Sequence, residues 1–119
     1  MATTKPADAR LRRELTERPL LTSDQASRMA GLFKVLANDT RLRLLHALAR
    51  AEELRVTDLA AEVGMKPQAV SNQLQKLVLM GILATRRDGN NMLYRVVDPC
   101  VPTLLSYGLC LSETSGSPS

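Results

Sequence analysis

Amide and hydroxyl side chains recur at helical spacing between Lys66 and Gly81. Asparagine and glutamine can each form two hydrogen bonds with adenine, serine can contact base edges or phosphates, and lysine neutralises phosphate. A helix with such side chains along one side would suit the major groove of DNA. The residues concerned are Lys66, Gln68, Ser71, Asn72, Gln75 and Lys76.

The opposite side of the same stretch is apolar. Val70, Leu74, Leu77 and the pair Leu79 and Met80 fall at helical spacing, which is the pattern of a helix with one buried face. Taken alone, this pattern also fits an ordinary surface helix whose polar side is solvated. The neighbouring elements therefore decide between the two interpretations.

A short helix and a tight turn precede this stretch. Thr57 and Asp58 are typical helix-starting residues, and the helix over 59–63 that follows them is ended by Gly64. Residues 64–66 then form a short turn before the next helix. A short helix, a glycine-containing turn and a second amphipathic helix make a helix-turn-helix.

A β-hairpin is predicted directly after the second helix. Residues 82–87 and 92–97 are rich in β-forming side chains, and the Asp88-Gly89-Asn90-Asn91 sequence between them tolerates positive φ angles. A basic hairpin in this position is a wing. The polar residues that could contact DNA from it are Arg86, Arg87, Asn90, Asn91 and Arg95.

The excess positive charge lies on this part of the chain. Residues 66–97 contain five basic residues and one acid, whereas the rest of the chain contains 11 of each, so the formal net charge of +4 resides in that segment. Such a concentration favours a polyanionic partner. A membrane surface is a poor alternative, since no basic helix here is strongly hydrophobic.

The flanking segments complete one domain over residues 22–111. Thr22 and Gln25 form a capping box that starts a helix with an apolar stripe at Met29, Leu32, Phe33 and Leu36, a core or dimer surface. Asn38 caps the next helix, in which Leu42, Leu45 and Leu48 are predicted to point inward.

A last short helix is predicted over residues 103–107, ended by Gly108. Residues 1–21 are expected to be a poorly ordered arm or short helix, and residues 112–119 a disordered tail.

The fold class predicted from these elements is mainly α with a small β-hairpin, a winged helix-turn-helix. The 119 residues support one domain, and small helical domains often gain stability by dimerising. There is no apolar run of membrane-spanning length and no signal-peptide core, so we expect a cytoplasmic protein without membrane partners. An enzyme is not expected, because the single histidine, His46, has no second histidine near it and there is no phosphate-binding glycine loop or nucleophile motif.

Over roughly residues 25–111 the pattern resembles the ArsR/SmtB family of bacterial winged-helix repressors. Residues 36–45, LANDTRLRLL, look like the family's LADPTRLRIL run, and residues 70–74, VSNQL, are similar to its VSxHL signature. The resemblance implies a homodimer, joined through its first and last helices, that represses transcription and releases DNA when an inducer binds. The resemblance places the family's DNA-contacting positions at Gln68, Ser71 and Asn72, while Pro67 replaces a residue that is polar in many relatives.

The resemblance also bears on metal sensing. The family's ELCVCDL motif reads here as residues 53–59, ELRVTDL, with both cysteines absent. A second family pattern, DxHx(10)HxxE/H on the last helix, is approximated by Asp98, Cys100, Cys110 and Glu113, with cysteines for histidines and one residue fewer between them. One residue rotates a helical ligand by about 100°, but a helix ended by Gly108 would leave Cys110 free to adjust.

Three interpretations of the cysteines follow. Cys100 of one subunit and Cys110 of the other, with Asp98 or Glu113, could bind a thiophilic ion such as Cd(II), Pb(II), Zn(II) or As(III), which would act as the inducer. The same thiols could form a reversible intersubunit disulfide and sense oxidants. Alternatively, both cysteines only pack in a helix interface.

The sequence also fits two other kinds of winged-helix protein. The winged helix could be a protein-interaction module rather than a DNA-binding one, although the concentrated charge argues against it. A regulator resembling the multidrug-responsive winged-helix proteins is also possible, but those chains are usually longer around the dimer helices.

Overall fold

The computed structural model of the protein describes residues 6–114. These residues fall into two compact units, divided between Val35 and Leu36. No helix in the described range is both long and apolar enough to cross a bilayer. In chain order the elements are α1 Pro6–Glu17, α2 Ser23–Leu36, α3 Asp39–Ala51, β1 Leu54–Arg55, α4 Val56–Val63, α5 Pro67–Leu79, β2 Leu83–Asp88, β3 Asn91–Val96 and α6 Cys100–Thr114.

The first unit contains α1 and nearly all of α2. The predicted capping box is present: the Thr22 backbone N–H donates to Gln25 Oε1 at 3.0 Å, and the Gln25 N–H donates to Thr22 Oγ1 at 3.1 Å. The apolar stripe of α2 is exposed at Met29, Leu32 and Phe33. Within one chain this stripe is therefore not a core surface, and a dimer surface is the interpretation that remains.

Local signals start α3 and end α4 as predicted, whereas α4 begins at Val56, before the predicted starting residues Thr57 and Asp58. Asn38 caps α3 by accepting a hydrogen bond from the Arg41 N–H on its Oδ1 at 3.0 Å. Gly64 ends α4 with a left-handed φ of 69°, a conformation that glycine adopts without the steric cost of a Cβ. Pro67 is the first residue of α5, where its missing N–H costs nothing. The helix-turn-helix is thus α4, residues 64–66 and α5.

The core of the second unit is made of aliphatic side chains from α3, α4, α5, the sheet and α6, together with Tyr94 of β3. Leu42, predicted to point inward, is instead 40% exposed. It lies about 160° around α3 from Leu44, at 100° per residue, so the two cannot share a face. The fully buried side chains are Leu44, Leu45, Leu48, Leu59, Val70, Leu74 and Leu77.

The hairpin is part of a three-stranded antiparallel sheet in the order β1-β3-β2. Asp88 pairs with Asn91, so the loop of the β2–β3 hairpin has two residues, and Gly89 supplies its positive φ of 65°. The hairpin agrees with the prediction from the sequence, whereas β1 was not predicted. Only Leu54 and Arg55 form that strand, by pairing with Tyr94 and Leu93. A strand of two residues has no pattern of its own and exists only through its partner.

Helix α6 is longer than predicted at both ends. It begins at Cys100, continues through Gly108 and ends at Thr114, so the predicted end at Gly108 and the predicted tail at 112–114 are wrong. The hydroxyl of Ser112 donates to the Leu109 carbonyl and that of Thr114 to the Cys110 carbonyl, both at 2.9 Å, so these side chains fold back on the helix instead of interrupting it. The rest of the predicted tail lies outside the described residues.

Two leucines of α5 provide a test of this core. Leu74 is fully buried, but Leu79 and Met80, predicted to lie on the same buried side, are 86% and 39% exposed. That part of the prediction is wrong because two residues rotate a helix by about 200°, which takes Leu79 to the other side from Leu77. We expect Leu74→Ala to lower the free energy of unfolding by about 2–5 kcal/mol, because the substitution leaves a cavity. Leu79→Ala, the matched control on the same helix, should change it by less than about 0.5 kcal/mol. Denaturant unfolding at a fixed protein concentration measures both, and equal losses would contradict the placement of α5.

Candidate nucleic-acid interface

Helix α5 presents its polar side to solvent because its apolar side is buried. Val70, Leu74 and Leu77 are all 0% exposed. Since these three side chains fix the orientation of the helix, the residues on its other side face outward. The predicted base-reading face therefore lies on the surface: Lys66, Gln68, Asn72 and Gln75 are exposed, and Ser71 is half-buried.

Two of the exposed amides are already paired with each other. Gln68 Nε2 donates to Asn72 Oδ1 at 3.1 Å, across one turn of α5. This hydrogen bond restricts the rotamers of both side chains. It leaves the carbonyl oxygen of Gln68 as an acceptor and the amide nitrogen of Asn72 as a donor, a combination that can address base edges.

Two arginines of α3 are bonded to the helix-turn-helix. Arg41 Nε donates to Gln73 Oε1 on α5 at 2.8 Å, and Arg43 Nη1 donates to the carbonyl of Val63, the last residue of α4, at 3.3 Å. A cation at a helix C-terminus is favourable because the last carbonyls carry partial negative charge. Neither contact was predicted from the sequence, since the partners of both arginines lie on other elements.

An ion pair that was not predicted from the sequence joins the wing to Glu53, the residue before β1. Arg86 binds Glu53 with two parallel hydrogen bonds, Nε to Oε2 at 2.7 Å and Nη2 to Oε1 at 2.9 Å. The hydrogen bond from Arg86 holds the pKa of Glu53 below its ordinary value, and the charge of Arg95 acts in the same direction. Glu53 in turn raises the pKa of Arg86. Arg86 therefore already has a carboxylate partner in the free protein.

The remaining wing residues occupy the other positions predicted for DNA contacts. Arg87, Asn90 and Asn91 are exposed, and Arg95 is half-buried. Arg87 is opposite Met92 in the register, so it points to the other face of the sheet from Arg86, which is opposite Leu93. The structure thus gathers these side chains on one hairpin but distributes them over its two faces and its loop.

An ion pair lies within residues 53–59, the segment in which the family's ELCVCDL motif has its two cysteines. Arg55 Nε donates to Asp58 Oδ2 at 2.9 Å and its Nη2 to Oδ1 at 3.1 Å. The hydrogen bond from Arg55 lowers the pKa of Asp58, and Asp58 raises that of Arg55. This segment offers a guanidinium where a metal site would need a thiolate.

The two cysteines lie on one continuous helix, and both are exposed as free thiols. Ten helical residues span roughly 15 Å, so Cys100 and Cys110 of one chain cannot bind the same ion. Asp98 Oδ1 accepts a hydrogen bond from the Cys100 N–H at 2.9 Å and so caps the start of α6. Among the described residues of a single chain, no three His, Cys, Asp or Glu side chains are grouped as a metal site requires.

Comparison with known proteins gives the family. Residues 38–85 match the model of the bacterial regulatory proteins of the arsR family. The HTH-type transcriptional regulator NmtR of Mycobacterium tuberculosis is 38% identical over 93 residues, which are 78% of this chain and 77% of that relative. The chain belongs to the arsR family. The resemblance to ArsR/SmtB repressors inferred from residues 36–45 and 70–74 is thereby confirmed.

Other arsR-like matches are consistent with this assignment. A transcriptional repressor SmtB homolog of Synechocystis is 44% identical over 85 residues, which are 71% of this chain and 64% of that protein, just under two thirds of its length. The crystal structure of the antimony-specific transcriptional repressor AntR is 59% identical, with a TM-score of 0.76 and coverage of 95% of this chain and 96% of that one. The homodimeric winged helix-turn-helix domain Mb0332 of Mycobacterium bovis is 28% identical, with a TM-score of 0.67 and coverage of 81% and 91%.

The ion pair of the wing predicts a specific pH dependence. Because the pKa of Glu53 is lowered in the folded protein, the pair should persist as the pH falls past the ordinary glutamate value of about 4.3 and be lost only at the lower folded-state pKa. An NMR titration of the Glu53 side-chain carboxyl carbon measures this midpoint. In Arg86→Ala the midpoint should rise towards the ordinary value, and an unchanged midpoint would contradict the pairing.

Proposed function

We propose that this chain is a transcriptional repressor that acts as a homodimer on palindromic double-stranded DNA, in the cytoplasm and without catalysing a reaction. The observation that supports this most directly is the outward amide face of α5 beside a basic hairpin. The burial of Val70, Leu74 and Leu77 leaves that face no other orientation. Membership of the arsR family, whose members are bacterial regulatory proteins, supports the same function.

The side chains divide between base reading and phosphate binding. Gln68 and Asn72, paired on the exposed face, are proposed to contact bases, and Ser71 a base or a phosphate. Lys66, the residue before α5, and Gln75, on α5, flank them. The wing residues Arg87, Asn90, Asn91 and Arg95 are proposed to contact phosphates or a narrow minor groove, whereas Arg86 would first have to leave Glu53.

This division predicts different losses for two alanine variants. Gln68→Ala should weaken binding to the operator by about 1–3 kcal/mol and relax the sequence preference, because it removes a base contact. Arg87→Ala should weaken binding on all sequences alike and reduce the slope of log affinity against log salt by about 1, because it removes a phosphate contact. Fluorescence anisotropy with an operator and a scrambled duplex at several salt concentrations measures both effects.

Arg50→Ala is the matched control for the loss of a charge. Arg50 lies in the last turn of α3 and is exposed, away from both α5 and the wing in the sequence. It should retain the wild-type sequence preference. If Gln68→Ala and Arg87→Ala both bound DNA as the wild type does, the assignment of the interface would be wrong.

We also propose that a thiophilic metal or metalloid ion bound by α6 releases the DNA. Cys100 and Cys110 are exposed thiols, the first at the start of this helix and the second about one turn before its end, with Asp98 before Cys100 and Glu113 after Cys110. Thiolates favour soft ions, among them Cd(II), Pb(II), Zn(II) and As(III). The 59% identity with an antimony-specific repressor adds Sb(III), the first ion to test.

The site would have to be shared between subunits. Because α6 continues through Gly108, Cys110 has no freedom from a broken helix, and roughly 15 Å of helix separates it from Cys100. Two α6 helices packed antiparallel about a twofold axis would bring Cys100 of one subunit beside the equivalent of Cys110 in the other. A dimer would then contain two equivalent sites.

Mixed dimers test this arrangement directly. Neither Cys100→Ser nor Cys110→Ser homodimers should bind Sb(III), but a mixed dimer of the two variants retains one complete site and should bind one ion per dimer. In the wild type, two ions per dimer should lower the affinity for DNA about 5- to 150-fold, a typical allosteric coupling. Calorimetry with antimonyl tartrate gives the stoichiometry, and anisotropy gives the affinity for DNA.

Controls separate this proposal from its alternatives. His46→Ala should respond to Sb(III) as the wild type does, because His46 lies on α3 and is not one of the proposed ligands. Cd(II), Pb(II), Zn(II) and As(III) in the same assay establish which ion is preferred. Release of DNA by peroxide but by none of these ions would favour the disulfide instead, and no response to either would mean that the cysteines only pack.

A further inference from the structure

We propose that Arg41, which lies on α3 and not on the base-reading face of α5, is a positioning residue for sequence recognition. Through Gln73 it fixes the rotation of α5 about its own axis, and thereby the alignment of Gln68 and Asn72 with the bases. This inference rests on the proposed DNA-binding function, and it assigns a role in specificity to a side chain outside the helix-turn-helix.

The contact is short and firmly anchored. Arg41 lies in the first turn of α3, where its backbone N–H is held by Asn38 Oδ1 at 3.0 Å. Its side chain is half-buried, and its Nε donates to Gln73 Oε1 at 2.8 Å. A hydrogen bond from a guanidinium is charge-assisted, and partial burial shields it from competing water.

The apolar contacts of α5 determine which side of the helix faces outward, but they define its rotation angle only loosely. The helix packs chiefly against α4 and β2, and its buried side chains Val70, Leu74 and Leu77 are all aliphatic. Apolar contacts have little directionality, so they tolerate a small roll of the helix. A hydrogen bond to a third element, α3, is directional and opposes that roll.

A small roll is enough to affect base reading. With a helix radius of about 5–6 Å, a roll of about 10° moves a side-chain tip by ~1 Å. Hydrogen bonds weaken steeply with such changes in distance and angle, whereas a point charge near a phosphate loses little. Loss of the Arg41–Gln73 bond should therefore reduce the preference for the operator more than the affinity for DNA in general.

A double-mutant cycle tests the proposal. The proteins are the wild type, Arg41→Met, Gln73→Met and the double variant, each titrated against a duplex selected from random sequences by the wild type and against its scrambled counterpart. Each single variant should lower affinity for the selected duplex about tenfold and for the scrambled one less than about twofold. The double variant should be no weaker than the weaker single variant, because both remove the same bond.

Arg50→Met is the matched control, since it removes an equal charge from the same helix and should keep the wild-type preference. Thermal melting of every variant establishes that it is folded. Gln73→Met leaves Arg41 in place, so the proposal can be judged on it alone if Arg41→Met does not fold.

The outcomes are distinct. If Arg41→Met weakened both duplexes equally and lowered the salt slope by about 1, Arg41 would be a phosphate contact and this inference would be overturned. Additive losses in the double variant would overturn it as well. If the wild type selected no sequence at all, the proposed function would fail, and this inference would fail with it.

Discussion

The burial of three aliphatic side chains, Val70, Leu74 and Leu77, is the constraint on which the rest of the site depends. These three side chains are removed from water only if this side of α5 packs against the rest of the protein. The amide face on the other side of the helix must then point outward. Hydrophobic burial is strong but not directional. It determines which side of α5 faces DNA, while hydrogen bonds from neighbouring elements define its exact orientation. The structure supplies such a bond from α3 through Arg41 and Gln73.

The elements around α5 add further basic surface and a connection to α6. The β2–β3 hairpin extends the basic surface beyond the end of the helix, and its short glycine-containing loop keeps it compact. Helix α3 contacts both α6 and the helix-turn-helix, through packing in the first case and through Arg41 and Arg43 in the second. Helix α3 would thus be the element through which an ion bound at α6 affects the helix-turn-helix.

Much of the fold was predictable because its signals are local. The capping box at Thr22, the glycine that ends α4 and the hairpin loop at Gly89 each depend on a few adjacent residues. The errors occurred where distant residues decide. β1 exists only by pairing with β3, and the partners of Arg86 and Arg41 lie 33 and 32 residues away. Helix α6 passes Gly108 although glycine costs about 1 kcal/mol in a helix, a local penalty that the rest of the helix offsets.

The bond between Glu53 and Arg86 has a consequence for the ionic atmosphere of the complex. Binding of DNA is driven largely by the release of cations condensed on its phosphates, one for each protein charge that replaces them. Glu53 lies outside the basic segment 66–97 in the sequence but beside it in space, where it acts as a built-in counterion of the wing. The number of arginines and lysines in that segment therefore overstates the number of phosphate charges that the segment neutralises. Fewer cations are released on DNA binding than that number would indicate.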